Sequence, residues 1–264
     1  MTVVGGKGSP GATTTALALA AGAGQPAYMM EADSFGGDLS YRCRWSGLPL
    51  AESPTVLTAA TAIRHGTADD VLARYSHQFG EQLRVVPGHA AAEQAFTTDW
   101  GPLADGLVAS RHPVFVDVGR VHSASPTLPL VASAEVIVAV LRADVSSVLR
   151  TLDQLERLVP ELAGRRQSVP TLVPVLVAGS RHAATLVREV RTLMSGSRVA
   201  AAVREVGWIA YDEAGVNALY SGRRPGHGRF SSSAQSLVSQ LVPPMEAVQR
   251  SDRARPRSKG SAHA

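Results

Sequence analysis

The N-terminal segment combines glycines, threonines and one lysine in a spacing suited to binding phosphate. Glycines let several backbone N–H groups converge on an anion, and the N-terminus of a following helix adds partial positive charge. Thr13 is placed to coordinate Mg²⁺ through its hydroxyl, and Thr14 to donate to a phosphate. The predicted phosphate-binding residues are Gly6, Lys7, Gly8, Ser9, Gly11, Ala12, Thr13 and Thr14.

The lysine of a standard phosphate-binding loop is missing. The pattern G-x-x-x-x-G-K-S/T would place it at position 12, where this chain has Ala12. Only two of the 26 basic residues are lysines, Lys7 and Lys259, so the lysine inside the loop stands out against a background of arginine. A compact ammonium packs against phosphate oxygens in a way that a planar guanidinium does not. We therefore expect Lys7 to contact phosphate.

Carboxylates are expected beside this loop, because ligands of open α/β sheets bind beyond the carboxyl ends of the strands. One predicted strand ends in Glu31 and is followed by Asp33 and Asp38, and the apolar run PVFV ends at Asp117. A carboxylate at such a place suits a Mg²⁺ ion held through water. The sequence therefore predicts a magnesium site formed by Thr13, Asp33 and Asp117.

Short apolar runs alternate with helical patterns over most of the chain. Strands are predicted at 2–5, 26–31, 82–86, 113–118, 135–141, 171–178 and 204–209. Helices are predicted at 12–22, 55–64, 67–77, 91–109 in two pieces, 145–159, 183–194, 212–221 and 231–242, with the serines at 231–233 capping the last one. This alternation predicts an α/β fold with a doubly wound, mostly parallel sheet flanked by helices.

The charge is unevenly distributed along the chain. The last fifteen residues carry four arginines and one lysine against one aspartate, which accounts for the whole formal net charge of +4. We predict a single domain over residues 1–244 and a disordered basic tail over 245–264, able to make weak contact with DNA or an anionic membrane surface. No apolar run is long enough for a transmembrane segment, and the single cysteine, Cys43, suits a reducing cytoplasm.

These features resemble the MinD/ParA family, P-loop ATPases of the SIMIBI class with a deviant Walker A motif, KGGxGK(S/T). The match comprises Lys7, Gly8, Gly11 and Thr13, with departures at Ser9 and Ala12. The resemblance continues through the acidic strand end at 31–38, the strand that ends at Asp117, and the segment ASAEVIVAVLRADVSSVLRTLDQL. It extends to VGWIAYDEAGVNALYSG, which is similar to the family's late G-x-I-P-x-D segment with Ala210 in place of proline.

The resemblance implies a P-loop NTPase that uses ATP and Mg²⁺. Lys7 would reach across an ATP-sandwich homodimer to the phosphates of the partner, and Asp33 would position the attacking water, which makes these two the catalytic residues. Thr13 and Asp117 would serve the magnesium site. Closure of the dimer would create a surface for a protein partner, DNA or a membrane, in a protein that positions or partitions cargo in the cytoplasm, at the nucleoid or at the membrane periphery.

The substitution at Ala12 leaves other interpretations open. Loss of one charge-assisted contact costs about 1.5–3 kcal/mol, so we expect weaker nucleotide binding and weak or slow hydrolysis. An alternative register, with loops of the GxPGxGKT type, places Thr14 at the lysine position and supplies no lysine either. A degenerate scaffold that keeps the fold without nucleotide turnover is the second hypothesis. An ATP-dependent ligase of the same fold class is the third.

Overall fold

An eight-stranded sheet with helices on both faces forms the centre of the protein. The computed structural model describes residues 1–6, 11–165, 170–223 and 228–242. Lys7, Gly8 and Ser9 of the predicted phosphate-binding loop lie outside the described residues, as does the predicted basic tail. The domain boundary at residue 244 stays a prediction.

The sheet has the strand order β10-β9-β8-β1-β7-β2-β6-β5, and all its neighbouring strands are parallel except β5 and β6. The short strands β3 and β4 form a separate antiparallel pair. The strands are β1 (Thr2–Gly5), β2 (Ala27–Glu31), β3 (Arg44–Trp45), β4 (Leu48–Pro49), β5 (His77–Gln78), β6 (Leu83–Val86), β7 (Val114–Arg120), β8 (Val136–Arg142), β9 (Thr171–Ala178) and β10 (Gly207–Ala210). All seven predicted strands are present, and the predicted doubly wound α/β fold is confirmed.

Eleven α-helices lie within the described residues. They are α1 (Ala12–Ala21), α2 (Leu39–Arg42), α3 (Val56–Ala62), α4 (Ala68–Arg74), α5 (Ala92–Thr97), α6 (Gly101–Val108), α7 (Leu128–Ala132), α8 (Val145–Arg165), α9 (Ala183–Ser195), α10 (Glu213–Tyr220) and α11 (Arg229–Leu241). The sequence did not predict the short helices α2 and α7. No helix in the described ranges is both long and apolar enough to cross a membrane.

Most helix boundaries differ from the prediction by one to three residues, and two of the differences have a clear structural cause. Helix α8 continues through Pro160 instead of ending at 159, because its buried stripe extends from Leu158 to Leu162. Helix α11 begins at Arg229, so the expectation that the serines cap it is wrong. Ser233 instead accepts a hydrogen bond from the backbone N–H of Ala210 at 3.0 Å, which joins α11 to the end of β10.

The alternation of side chains along the strands creates a separate hydrophobic core on each face of the sheet. Val4 and Met30 contribute to the core shared with α3, α4, α6, α7 and α8, whereas their neighbours Val3 and Met29 contribute to the core shared with α1, α10 and α11. The chain leaves β1 in one direction, over β7 to β2, and later passes back across β1 from β7 to β8. The carboxyl end of β1 therefore lies at the switch point where such sheets bind ligands.

Candidate functional site

The turn between β1 and α1 depends on glycine at both of its described ends. A Cβ on Gly6 would lie 2.9 Å from the Thr151 hydroxyl of α8, so the backbone passes close to that helix. Gly11 has a φ of +90°, a conformation that favours glycine, and its carbonyl accepts the Thr15 N–H at 2.8 Å to start α1. The turn is therefore shaped by backbone geometry at Gly6 and Gly11, and their contact with phosphate stays a prediction.

The first turn of α1 directs its side chains to three different places. Ala12 is buried in the core, so no cation stands at this position. The Thr13 hydroxyl lies close enough to the Asp117 carboxylate to lower its pKa. The Thr14 hydroxyl lies 2.9 Å from the Tyr220 hydroxyl of α10 and hydrogen-bonds to it. The structure thus brings Thr13 to the predicted magnesium site and engages Thr14 with a residue that the sequence did not point to.

Asp117 of β7 is fully buried. Its Oδ1 accepts the Gly119 N–H at 3.0 Å, and its Oδ2 has no hydrogen-bond partner among the described residues. Burial raises the pKa of Asp117 to about 6, against the opposing effects of the Thr13 hydroxyl and of the hydrogen bond from Gly119. A buried carboxylate oxygen without a partner is costly, and a bound cation removes that cost.

Asp33 lies against Gly119, two residues after Asp117. Its Oδ1 accepts the Phe35 N–H at 2.9 Å, and a Cβ added to Gly119, which has a φ of +59°, would overlap the Asp33 carboxylate. Burial raises the pKa of Asp33, and its charge in turn contributes to the raised pKa of Asp117. The three predicted magnesium residues, Thr13, Asp33 and Asp117, are therefore brought together.

The chemistry of these donors fits Mg²⁺. Thr13, Asp33 and Asp117 offer hydroxyl and carboxylate oxygens, the ligand type that Mg²⁺ prefers. Within the described residues, no group of three or more His, Cys, Asp or Glu side chains is arranged to hold a metal ion by itself. Mg²⁺ commonly takes one or two carboxylates and completes its octahedron with water and phosphate oxygens, so a sparse donor set is compatible with it.

Glu31 anchors the segments around the site. It pairs in register with Asp117 of the neighbouring strand and is 2% exposed. Its carboxylate accepts backbone N–H groups from Asp38 at 2.9 Å, Gly88 at 2.9 Å and Leu39 at 3.3 Å. Burial raises the pKa of Glu31 to about 7, exceeding the opposing effect of these hydrogen bonds. Glu31 therefore ties the chain after β2 to the chain after β6.

His89 is a polar residue of this region that the sequence analysis did not single out. Its side chain is 2% exposed, and neither ring nitrogen has a hydrogen-bond partner among the described residues. The ring lies close enough to Asp33 to favour the ionised carboxylate and so to lower its pKa, against the larger effect of burial. The histidine lacks any metal-binding spacing with its neighbours in sequence, so only the fold reveals its position.

A cavity of about 360 Å³ opens beside the start of α1. It lies between α1, the carboxyl-terminal ends of β8, β9 and β10, and the start of α10. Its walls include Gly11, Thr14, Arg142, Tyr211, Asp212 and Asn217. Asp212 caps α10 by accepting the Gly215 N–H at 3.0 Å. The segment that resembles G-x-I-P-x-D thus forms one wall of a cavity adjoining the phosphate-binding turn.

Comparison with known proteins gives structural relatives only. No protein-family model matches the chain, and no curated protein matches it. A ParA family ATPase from Chlorobium tepidum superimposes with a TM-score of 0.66 at 17% identity, over 89% of this chain and 98% of that one. A chain of the Aquifex aeolicus MinC:MinD cell division protein complex superimposes with a TM-score of 0.62 at 13% identity, over 92% of this chain and 97% of that one. An ATP complex of a Cyanothece McdA variant gives 0.60 at 14% identity, over 90% and 95%. At these identities the similarity establishes the fold, and the chain has the α/β fold of the MinD/ParA ATPases.

Proposed function

We propose that this protein is a nucleotide-dependent switch of the MinD/ParA type that binds ATP with Mg²⁺. One observation carries the proposal: the Asp117 carboxylate is buried with Oδ2 unpartnered among the described residues, and the Thr13 hydroxyl at the start of α1 lies close enough to lower its pKa. An oxygen pair of this kind beside a Gly-rich turn suits a cation that accompanies phosphate. A scaffold shaped only for stability would gain by replacing such a carboxylate.

The residues have distinct roles in this proposal. Thr13, Asp33 and Asp117 hold the Mg²⁺, which neutralises phosphate charge when bound. Asp33 also orients the water that attacks the terminal phosphate. Backbone N–H groups of the turn surround the phosphates, and Lys7 reaches the phosphates bound to the partner subunit. The cavity of about 360 Å³ takes the base and ribose.

Hydrolysis is slow in this proposal, because Ala12 supplies no ammonium to the charge that develops on the transferred phosphoryl group. Nucleotide binding with slow turnover suits a switch, which changes state on binding and resets on hydrolysis. The protein works in the cytoplasm, with its basic tail in weak contact with DNA or an anionic membrane surface.

Dimerisation and partner binding follow at the same edge of the sheet. Phe35, Val145 and Tyr211 each come soon after a strand of this edge, and each is more than 60% exposed. Exposed apolar side chains around a ligand site favour contact with another protein surface. A homodimer closed over ATP would cover them and present a new surface to a protein partner, in keeping with the similarity to the MinC:MinD complex.

The test combines ATP binding with measurement of mass. Equilibrium binding of ATP with Mg²⁺ should be tighter than millimolar, and light scattering should show a monomer that becomes a dimer on adding both. Lys7→Ala should retain part of the binding and lose the dimer, whereas the matched control Lys259→Ala, which removes the only other lysine, should behave as the wild type. Affinity weaker than millimolar, or a mass that nucleotide leaves unchanged, would contradict the proposal.

Ala12 favours a second candidate function, a degenerate scaffold that binds partners without nucleotide turnover. A scaffold of this kind would show the same mass with and without ATP. It would also retain partner binding in Asp117→Asn, a substitution that the switch could not tolerate.

A further inference from the structure

We infer that Arg142 binds the phosphate groups of the nucleotide and supplies, from strand β8, the positive charge that is missing at Ala12. This inference rests on the proposed function and deepens it by naming a phosphate-binding residue outside the Gly-rich turn. It places the cation on the side of β1 opposite to Asp117.

The position of Arg142 follows from the register of the sheet. Val140 of β8 pairs with Gly5, the last residue of β1, and Arg142 ends β8 two residues later. Two residues of a strand span about 7 Å, so Arg142 lies about 7 Å beyond the level of Gly5, at the carboxyl edge of the sheet where β1 ends. It also lines the same cavity as Gly11 and Thr14. The side chain is exposed and can reorient toward a ligand.

The acidic groups around Arg142 are engaged by other donors. Arg142 forms no ion pair and no side-chain hydrogen bond within the part of the chain that the structure describes, where Arg42, Arg64, Arg111 and Arg157 do form ion pairs. Asp144 accepts hydrogen bonds from the Ser146 hydroxyl at 2.7 Å and the Ser147 N–H at 2.8 Å. Asp212 accepts the Gly215 N–H at 3.0 Å, and Glu213 accepts the Tyr211 hydroxyl at 2.8 Å.

The charge of Arg142 also acts on the cavity wall. The pKa of Tyr211 is raised, first by its hydrogen bond to Glu213, and the guanidinium of Arg142 opposes that rise. The two residues also line the same cavity, so the guanidinium lies within electrostatic range of the Tyr211 hydroxyl there. A guanidinium with free N–H groups can bind two phosphate oxygens at once, and a polyphosphate is the anion that the neighbouring turn is built to hold.

The test separates phosphate from nucleoside recognition. Binding of ATP, inorganic tripolyphosphate and adenosine is measured by calorimetry for the wild type, Arg142→Ala, Arg142→Lys and Arg188→Ala, an exposed arginine of α9 that serves as the matched control. Arg142→Ala should weaken ATP and tripolyphosphate binding at least tenfold and leave adenosine binding unchanged. Arg142→Lys should bind ATP and tripolyphosphate with an affinity between those of Arg142→Ala and the wild type, and Arg188→Ala should bind them as the wild type does. Circular dichroism confirms that each variant is folded.

The outcomes distinguish this inference from the proposed function. If the wild type and Arg142→Ala bind ATP equally, Arg142 has no phosphate role and the proposed function stands. If the wild type does not bind ATP, the proposed function fails, and tripolyphosphate decides the inference. Tripolyphosphate binding that Arg142→Ala loses would still support an anion site at Arg142. If the wild type and Arg142→Ala bind tripolyphosphate equally, or if neither binds it, the inferred phosphate site at Arg142 is overturned.

Discussion

The two sides of β1 hold charge in opposite ways. On the side of β7 and β2, which we call the acidic side, the carboxylates of Glu31, Asp33 and Asp117 are buried or half-buried. On the side of β8 and β10, which we call the open side, Arg142 and Tyr211 are exposed at the mouth of a cavity. The negatively charged groups are therefore shielded from solvent, whereas the positively charged Arg142 is exposed to solvent.

This difference indicates what the two sides lack. Burial raises the pKa of Glu31 to about 7 and that of Asp117 to about 6, so the acidic side would be stabilised by a cation. Arg142 forms no ion pair among the described residues, so the open side can accept an anion. A magnesium–nucleotide complex carries both charges next to each other and suits both sides at once.

The largest expected effect is on the packing of the acidic side. In Gly37→Ala the new Cβ would overlap the Glu31 carboxylate and lie 2.8 Å from Gly88 Cα. Because Glu31 holds the chain after β2 and the chain after β6, it cannot move without breaking hydrogen bonds. We expect a loss of about 3 kcal/mol in the free energy of unfolding, measured by urea denaturation.

Gly164→Ala is the control for this substitution. Gly164 lies in α8 with nothing within 4 Å of an added Cβ, so alanine should stabilise the helix by up to about 1 kcal/mol. A Gly37→Ala protein as stable as the wild type would show that the acidic side is loosely packed and would remove the contrast drawn above.

The next effect concerns the buried charge of Asp117. Its folded-state pKa of about 6 lies above the ordinary value of 3.8, so the folded protein holds this proton more tightly than the unfolded chain. The stability of the metal-free protein should therefore fall as pH rises from about 4 to about 6. Asp117→Asn removes this loss and should be more stable than the wild type by about 2 kcal/mol above pH 6.

The measurement is thermal unfolding in EDTA across this pH range, with the exposed Asp105→Asn as control. The advantage of Asp117→Asn should shrink toward acid pH, where the wild-type carboxyl is protonated. The Asp117 charge also contributes to the raised pKa of Glu31, so Asp117→Asn should lower the Glu31 pKa and add to the advantage of the variant. If Asp117→Asn is less stable than the wild type at pH 8, the carboxylate is compensated and the acidic side does not call for a cation.

The fold was largely predictable because its signals are local. Buried parallel strands are short apolar runs, and each of the seven was found from its own residues. The strands β3, β4 and β5 have two residues each and no such run, so nothing local indicated them. The extension of α8 beyond Pro160 was missed for another reason: a tertiary contact, the packing of Leu162 in the core, overrides the local effect of proline.

The candidate site was predictable where it obeys a rule of strand ends. Thr13 begins the helix after β1 and Asp33 follows β2, as the fold class predicts. Asp117 was expected at a strand end but lies in the middle of β7, level with Glu31 at the end of β2, and this register still brings it to the site. Arg142 also ends a strand, yet among 24 arginines its type carried no signal. Tyr220 could not be predicted, because it meets Thr14 across 206 positions of sequence.

The smallest expected effect tests how the open side is held together. The Tyr220 hydroxyl hydrogen-bonds Thr14, and the Arg42 guanidinium lies 3.9 Å from the Tyr220 ring centroid. Tyr220→Phe keeps the ring and this stacking, so it removes only the hydrogen bond. We expect a loss of about 1 kcal/mol in the free energy of unfolding by urea denaturation.

The exposed Tyr41→Phe is the matched control and should change stability by less than about 0.5 kcal/mol. A Tyr220→Phe protein as stable as this control would show that the Thr14–Tyr220 hydrogen bond between α1 and α10 contributes nothing to the free energy of unfolding. A loss equal to that of Gly37→Ala would show that the open side is as tightly held as the acidic side. A loss of stability between these two limits would support a site with a rigid acidic side that holds the metal and an adaptable open side that admits the nucleotide. The Thr14 hydroxyl could then exchange its hydrogen bond with Tyr220 for one with a phosphate oxygen at a small cost in free energy.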